Sequence, residues 1–78
     1  MTKEEFTIEV LDASEKHMEN YPCLRKGQSV FKYVDENYGP VARQVQFEDG
    51  VDCLYIDEKI DAFLDACWNR IDVSLKEN

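Results

Sequence analysis

Apolar positions recur at helical intervals in four stretches, and turn residues separate the stretches. Phe6, Val10, Ala13 and His17, with Leu11, Ser14 and Met18 beside them, return every three or four residues. Phe6, Ile8 and Val10 also alternate as a strand would, but the length of the patterned stretch predicts a helix over about residues 3–19. Thr2-Lys3-Glu4-Glu5 in front of it has capping-box form: the Thr2 hydroxyl and the Glu5 carboxylate can each satisfy the other's free backbone N–H. Tyr21-Pro22 ends the helix, because proline lacks a donor and turns the residue before it away from helical angles.

The second stretch, about residues 25–37, places Leu24, Val30, Phe31, Val34 and Tyr38 on one side and Lys32, Asp35 and Glu36 off it. Tyr38-Gly39-Pro40 is a stop in which Gly39 suits a left-handed position and Pro40 can open a short third helix, residues 41–47. Glu48-Asp49-Gly50 reads as a turn, and residues 51–56 fit either an extended loop or one helical turn. In the last stretch Asp57 is the expected N-cap. Ile60, Phe63, Leu64, Cys67, Trp68 and Ile71 then predict a helix to about Val73, with fraying after Leu75. The expected fold is all-α: a single domain over residues 1–78, three longer helices and one short one. Its expected core is Phe6, Val10, Val30, Phe31, Val34, Val45, Phe63, Leu64, Trp68 and Ile71.

Gly27 stands against propensity. Glycine in a first turn costs roughly 0.8–1 kcal/mol relative to alanine, so another helix packing closely there is the expected reason for it. The aromatics Phe31, Tyr38, Tyr55, Phe63 and Trp68 read as core.

A chain of 9.1 kDa buries roughly 63 per cent of its unfolded surface, enough for one modest core. With 44 per cent hydrophobic and 12 per cent aromatic residues it has globular composition. No apolar run approaches a membrane span, and the opening residues lack the layout of a signal peptide, so the cytoplasm is the expected location. Cys23, Cys53 and Cys67 are odd in number and widely spaced, which argues for reduced thiols.

Seventeen acids against nine bases leave a net charge of −8, which opposes attraction to a phosphate backbone and favours a protein partner, a basic one above all. From Gln44 to Asn69 there are seven acids and one base, Lys59. Glu58, Asp61, Asp65 and Asp72 align along one side of the last helix, which makes them the expected protein-binding face.

The segment from Arg25 to Arg43 has the opposite balance, four bases and two acids. Its helix, turn and short helix resemble a helix-turn-helix in outline, with Arg43, Gln44 and Lys32 as the alternative nucleic-acid contacts. His17 and Cys23 suggest a thiol–imidazole pair, but without further ligands at metal spacing they read as a half-buried helix residue and a core cysteine. Asp49, Asp52 and Asp57 around Gly50 do not follow the order of a calcium loop. No phosphate loop, dinucleotide fingerprint or nucleophile elbow occurs. The sequence therefore predicts neither an enzyme nor a cofactor.

Two segments, Arg25-Lys26-Gly27-Gln28-Ser29-Val30-Phe31 and Asp52-Cys53-Leu54-Tyr55-Ile56-Asp57-Glu58-Lys59-Ile60, resemble short uncharacterised proteins of bacteria and their phages. That group has an Arg-x-Gly-Gln helix start and a later Asp-x-Phe-Tyr-x-Asp loop. Here Lys32 stands where an asparagine is common, and Leu54 where a phenylalanine is. The resemblance implies a small helical fold and a phage or mobile-element origin, and it carries no activity. It singles out Gly27, Gln28, Asp52, Tyr55 and Asp57 as structural determinants: Asp57 as a cap, Gln28 and Asp52 as hydrogen-bonding anchors of the loop. The function expected from all this is that of a non-enzymatic acidic accessory protein. It would bind a protein partner, and in a sharper form inhibit a nucleic-acid-binding protein. A monomer and a homodimer through exposed residues such as Ile8 or Val73 are both compatible with the sequence.

Overall fold

The computed structural model describes residues 1–54 and 56–77, with side chains through residue 73; Tyr55 and the side chains of residues 74–78 lie outside it. Its elements are α1 (Lys3–Asn20), α2 (Lys26–Asn37), α3 (Val41–Glu48), a 3-10 turn (Asp57–Lys59) and α4 (Ile60–Glu77). The fold is all-α, three longer helices and a shorter one.

Helix α1 starts as its sequence dictates. Glu5 N–H donates to Thr2 Oγ1 at 3.2 Å and Thr2 N–H donates back to Glu5 Oε1 at 3.1 Å. Its inner stripe, Phe6, Val10 and Ser14, is buried. Ser14 and Ser29 mark a close crossing of α1 and α2: the Ser29 hydroxyl donates to the Ser14 carbonyl at 3.2 Å, and the Ser14 hydroxyl donates to Val10 O at 2.8 Å. Two small side chains that supply their own hydrogen bonds allow this approach without an unpaired buried hydroxyl.

The core joins Phe6 and Val10 of α1, Val30 and Val34 of α2, Ala42 and Val45 of α3, and Ile60, Phe63, Leu64, Cys67 and Ile71 of α4, with Cys53 from the loop before α4. Phe31 and Trp68, expected inside, are half-buried and pack against this core. Phe6 meets Tyr38 edge-on at 5.2 Å and Trp68 at 5.7 Å, and Phe31 stacks on Phe63 at 5.7 Å, which ties all three longer helices through aromatic contacts.

Gly39 takes φ 67° and Gly50 φ 71°, the left-handed turns that the two stop signals require. Pro40 stands just outside α3 as its N-cap, and its carbonyl accepts from Gln44 N–H at 2.9 Å.

Beyond Phe31 and Trp68, the structure departs from the sequence expectation at three places: the two ends of α4, Cys23 and Gly27. Asp57 does not cap α4 with its side chain; it opens a 3-10 turn whose N-cap is Ile56, and the Asp57 carbonyl accepts the Ile60 N–H. The tighter turn displaces the start of the α-helix to Ile60, and with no glycine or proline after Val73 to stop it, the helix continues to Glu77. Cys23 is exposed rather than core, because it falls in the turn after Pro22 and not on a helix face.

The third departure concerns Gly27, whose close neighbour is a loop carbonyl, not a helix. A Cβ at Gly27 would lie 1.7 Å from Cys53 O, and the Cys53 thiol donates to Gly27 O at 3.5 Å. The two segments that carry the resemblance are thus packed directly on each other. Asp52 anchors the loop as expected: Oδ1 accepts from Leu54 N–H at 2.8 Å and Oδ2 from Gln46 Nε2 at 3.1 Å. Gln28 acts locally, accepting the Arg25 N–H at 3.2 Å at the start of α2. Tyr55, expected as a determinant, lies outside the described residues.

Candidate binding surface

Ion pairs hold the helices together at their edges and decide which charges are left for a partner. Lys3 pairs with Asp65, joining α1 to α4. Arg43 Nε lies 3.2 Å from Asp35, joining α3 to α2. Arg70 on α4 grips the end of α3, with Nε 3.1 Å and Nη2 2.8 Å from Asp49 and Nη2 3.0 Å from Glu48. The Arg70 hydrogen bonds hold the Asp49 carboxyl below its ordinary range, and the Asp49 hydrogen bond raises Arg70 further. Within helices, Lys16 pairs with Asp12 at 3.3 Å and Lys32 with Glu36 at 3.9 Å.

The expected acidic face of the last helix divides under these contacts. Glu58 belongs to the 3-10 turn rather than to α4, and Asp61 is in the first turn of α4. Both are exposed and form no ion pair among the described residues. Asp65 is neutralised by Lys3, and Asp72 is half-buried and already engaged. The open part of that face is therefore the end that carries Glu58 and Asp61.

The alternative nucleic-acid contacts are placed differently from a reading head. Arg43 is held by Asp35 and Lys32 loosely by Glu36. Gln44 is half-buried on a helix of eight residues, and Ala42 and Val45 of the same helix are committed to the core.

A second acidic surface was not legible as a site. The outer side of α1 exposes Glu4, Glu5, Asp12, Glu15 and Glu19 around Ile8, which is 68 per cent exposed. The i, i+4 spacing Glu4–Ile8–Asp12 and Glu15–Glu19 carries the signal, but the apolar period of the same helix dominates the sequence pattern. The like charges of Glu15 and Glu19, one turn apart, cost the helix about 0.2–0.5 kcal/mol. Stability alone does not favour that arrangement. Lys3, Glu4, Thr7 and Ile8 line a shallow, mostly apolar hollow at the start of this face.

On the side facing α2, Glu9 accepts hydrogen bonds from two hydroxyls, Tyr33 at 3.0 Å and Tyr38. Burial first, then the bond to Glu9, pushes both tyrosines upward. This is a clamp between α1 and the end of α2. His17 is half-buried against the Tyr21 ring at 4.9 Å, and its Nε2 has no hydrogen-bond partner among the described residues. The thiols of Cys53 and Cys67 are free and buried, and burial pushes each up to about 12, which leaves Cys23 as the accessible one.

Among the described residues no group of three or more His, Cys, Asp or Glu side chains is arranged to hold a metal, and no helix is long and apolar enough to cross a membrane. Asp49 and Asp52, two of the carboxylates around Gly50, are occupied by Arg70 and by Gln46 with Leu54. The chain matches no known family model, no curated protein and no solved structure.

Proposed function

We propose that this chain is a non-enzymatic accessory protein that binds a basic protein partner through its acidic surface. The observation that carries this reading is the internal use of its cations. Among the described residues Lys3, Lys16, Lys32, Arg43 and Arg70 each pair with a carboxylate of the same chain. With 17 acids against nine bases, the surplus negative charge faces outward, including exposed Glu58 in the 3-10 turn and Asp61 in the first turn of α4. Such a surface attracts basic proteins, speeds their encounter and repels phosphate backbones. The sharper form is a protein that occupies the basic groove of a nucleic-acid-binding partner.

Affinity capture from nuclease-treated host lysate, followed by mass spectrometry, tests this. One dominant basic protein is expected with the wild-type chain, and the Glu58→Lys/Asp61→Lys double variant should retain less of it with its helical circular dichroism unchanged. Retention that ignores the double variant would remove these two residues from the contact. Retention of nucleic acid instead of protein would favour the regulator built on Arg43, Gln44 and Lys32.

A further inference from the structure

We infer that the outer face of α1 is a docking seat for a basic amphipathic helix of the partner, with Ile8 as its apolar anchor. The inference rests on the reading above that the partner is basic, and it places the main contact on a different helix. Ile8 lies near the centre of the exposed face, 68 per cent exposed, and lines a mostly apolar hollow with Lys3, Glu4 and Thr7. Leu11 and Met18, three and ten residues further, are half-buried at one flank, Leu11 against the core, which leaves Ile8 as the exposed apolar side chain of the face.

Acids surround Ile8, and the two bases bordering the face, Lys3 and Lys16, are already paired with Asp65 and Asp12. From Glu4 to Glu19 the face runs about 22 Å, four turns of helix. An exposed apolar anchor with a hollow beside it, set in acids over that length, complements a helix whose apolar side is flanked by lysine or arginine. A phosphate backbone would meet only repulsion there. A flexible basic tail would leave Ile8 without a partner.

The probe is an 18-residue leucine–lysine peptide with an amphipathic repeat, compared with a permuted peptide of the same composition that lacks the stripe. Binding to the 15N-labelled chain is followed by amide shifts. The expected result is shifts centred on residues 4–19, with the amphipathic peptide bound about tenfold more tightly than the permuted one. Ile8→Ser should erase that preference, and Glu15→Lys/Glu19→Lys should weaken both peptides. Both variants change exposed positions, so circular dichroism should confirm an unaltered fold.

Shifts centred on Glu58 and Asp61 would overturn the seat on α1 while leaving the basic-partner reading standing. Equal affinity for the two peptides, or an Ile8→Ser variant that keeps the preference, would also overturn it. Failure of both peptides to bind would do the same, and the capture experiment decides the broader reading independently.

Discussion

A methyl group on Gly27 would meet the Cys53 carbonyl oxygen at 1.7 Å, so Gly27→Ala forces the loop before α4 away from α2. Overpacking of this kind costs about 1–3 kcal/mol, and thermal denaturation should show Tm lower by at least about 4 °C. Asp52→Ala removes the acceptor of both Leu54 N–H and Gln46 and should cost about 1–2 kcal/mol. Gln28→Ala, which removes the exposed bond to the Arg25 N–H at the start of α2, should cost less. Unchanged melting in both would count against their roles as structural anchors.

The thiols give a separate readout at the same scale. Ellman's reagent at pH 8 should modify Cys23 rapidly and reach Cys53 and Cys67 only on unfolding. Because burial raises both buried thiols to about 12, the unfolded chain releases protons that the folded one keeps. The stability they contribute is complete below about 8.5 and declines as pH rises from there toward 12.

At the level of elements, the edges are held by ion pairs whose contribution depends on pH. Asp49 is depressed by Arg70, so its contribution is present above the ordinary carboxylate value of about 3.9 and is lost as pH falls through the lower folded value. Arg70→Ala should therefore lower Tm at neutral pH, and the gap from wild type should narrow between about pH 4 and 2. A constant gap would mean that Arg70 acts through packing alone.

Helices α1 to α3 were legible because local signals agreed: a capping box at Thr2, Pro22 after α1, Gly39 before α3, and apolar residues at helical spacing. The start of α4 was misplaced because Asp57 and Glu58 suit an N-terminus whether the first turn is α or 3-10. The partner of Gly27 was beyond local reasoning, since the contact spans 26 residues and its other half is a backbone carbonyl. The division of the expected acidic face was hidden for the same reason, because only the packing of α1 on α4 brings Lys3 to Asp65.

Over the whole molecule, the radius of gyration of 11.9 Å is close to the roughly 11.5 Å expected for a folded chain of this length, so the helices are fully collapsed on one core. Its outer face is acid because 17 acids outnumber nine bases, and Lys3, Lys16, Lys32 and Arg43, though exposed, are each paired with a carboxylate of the same chain. On the proposed function, this face competes with nucleic acid for a basic partner and does not itself bind nucleic acid. The most direct test loads the immobilised chain with its captured protein, adds increasing duplex DNA at fixed moderate salt, and measures what remains on the support. Protein should leave as DNA rises, with no DNA staying behind. DNA retained on the chain itself, in an amount that falls with salt and with Arg43→Ala, would contradict it.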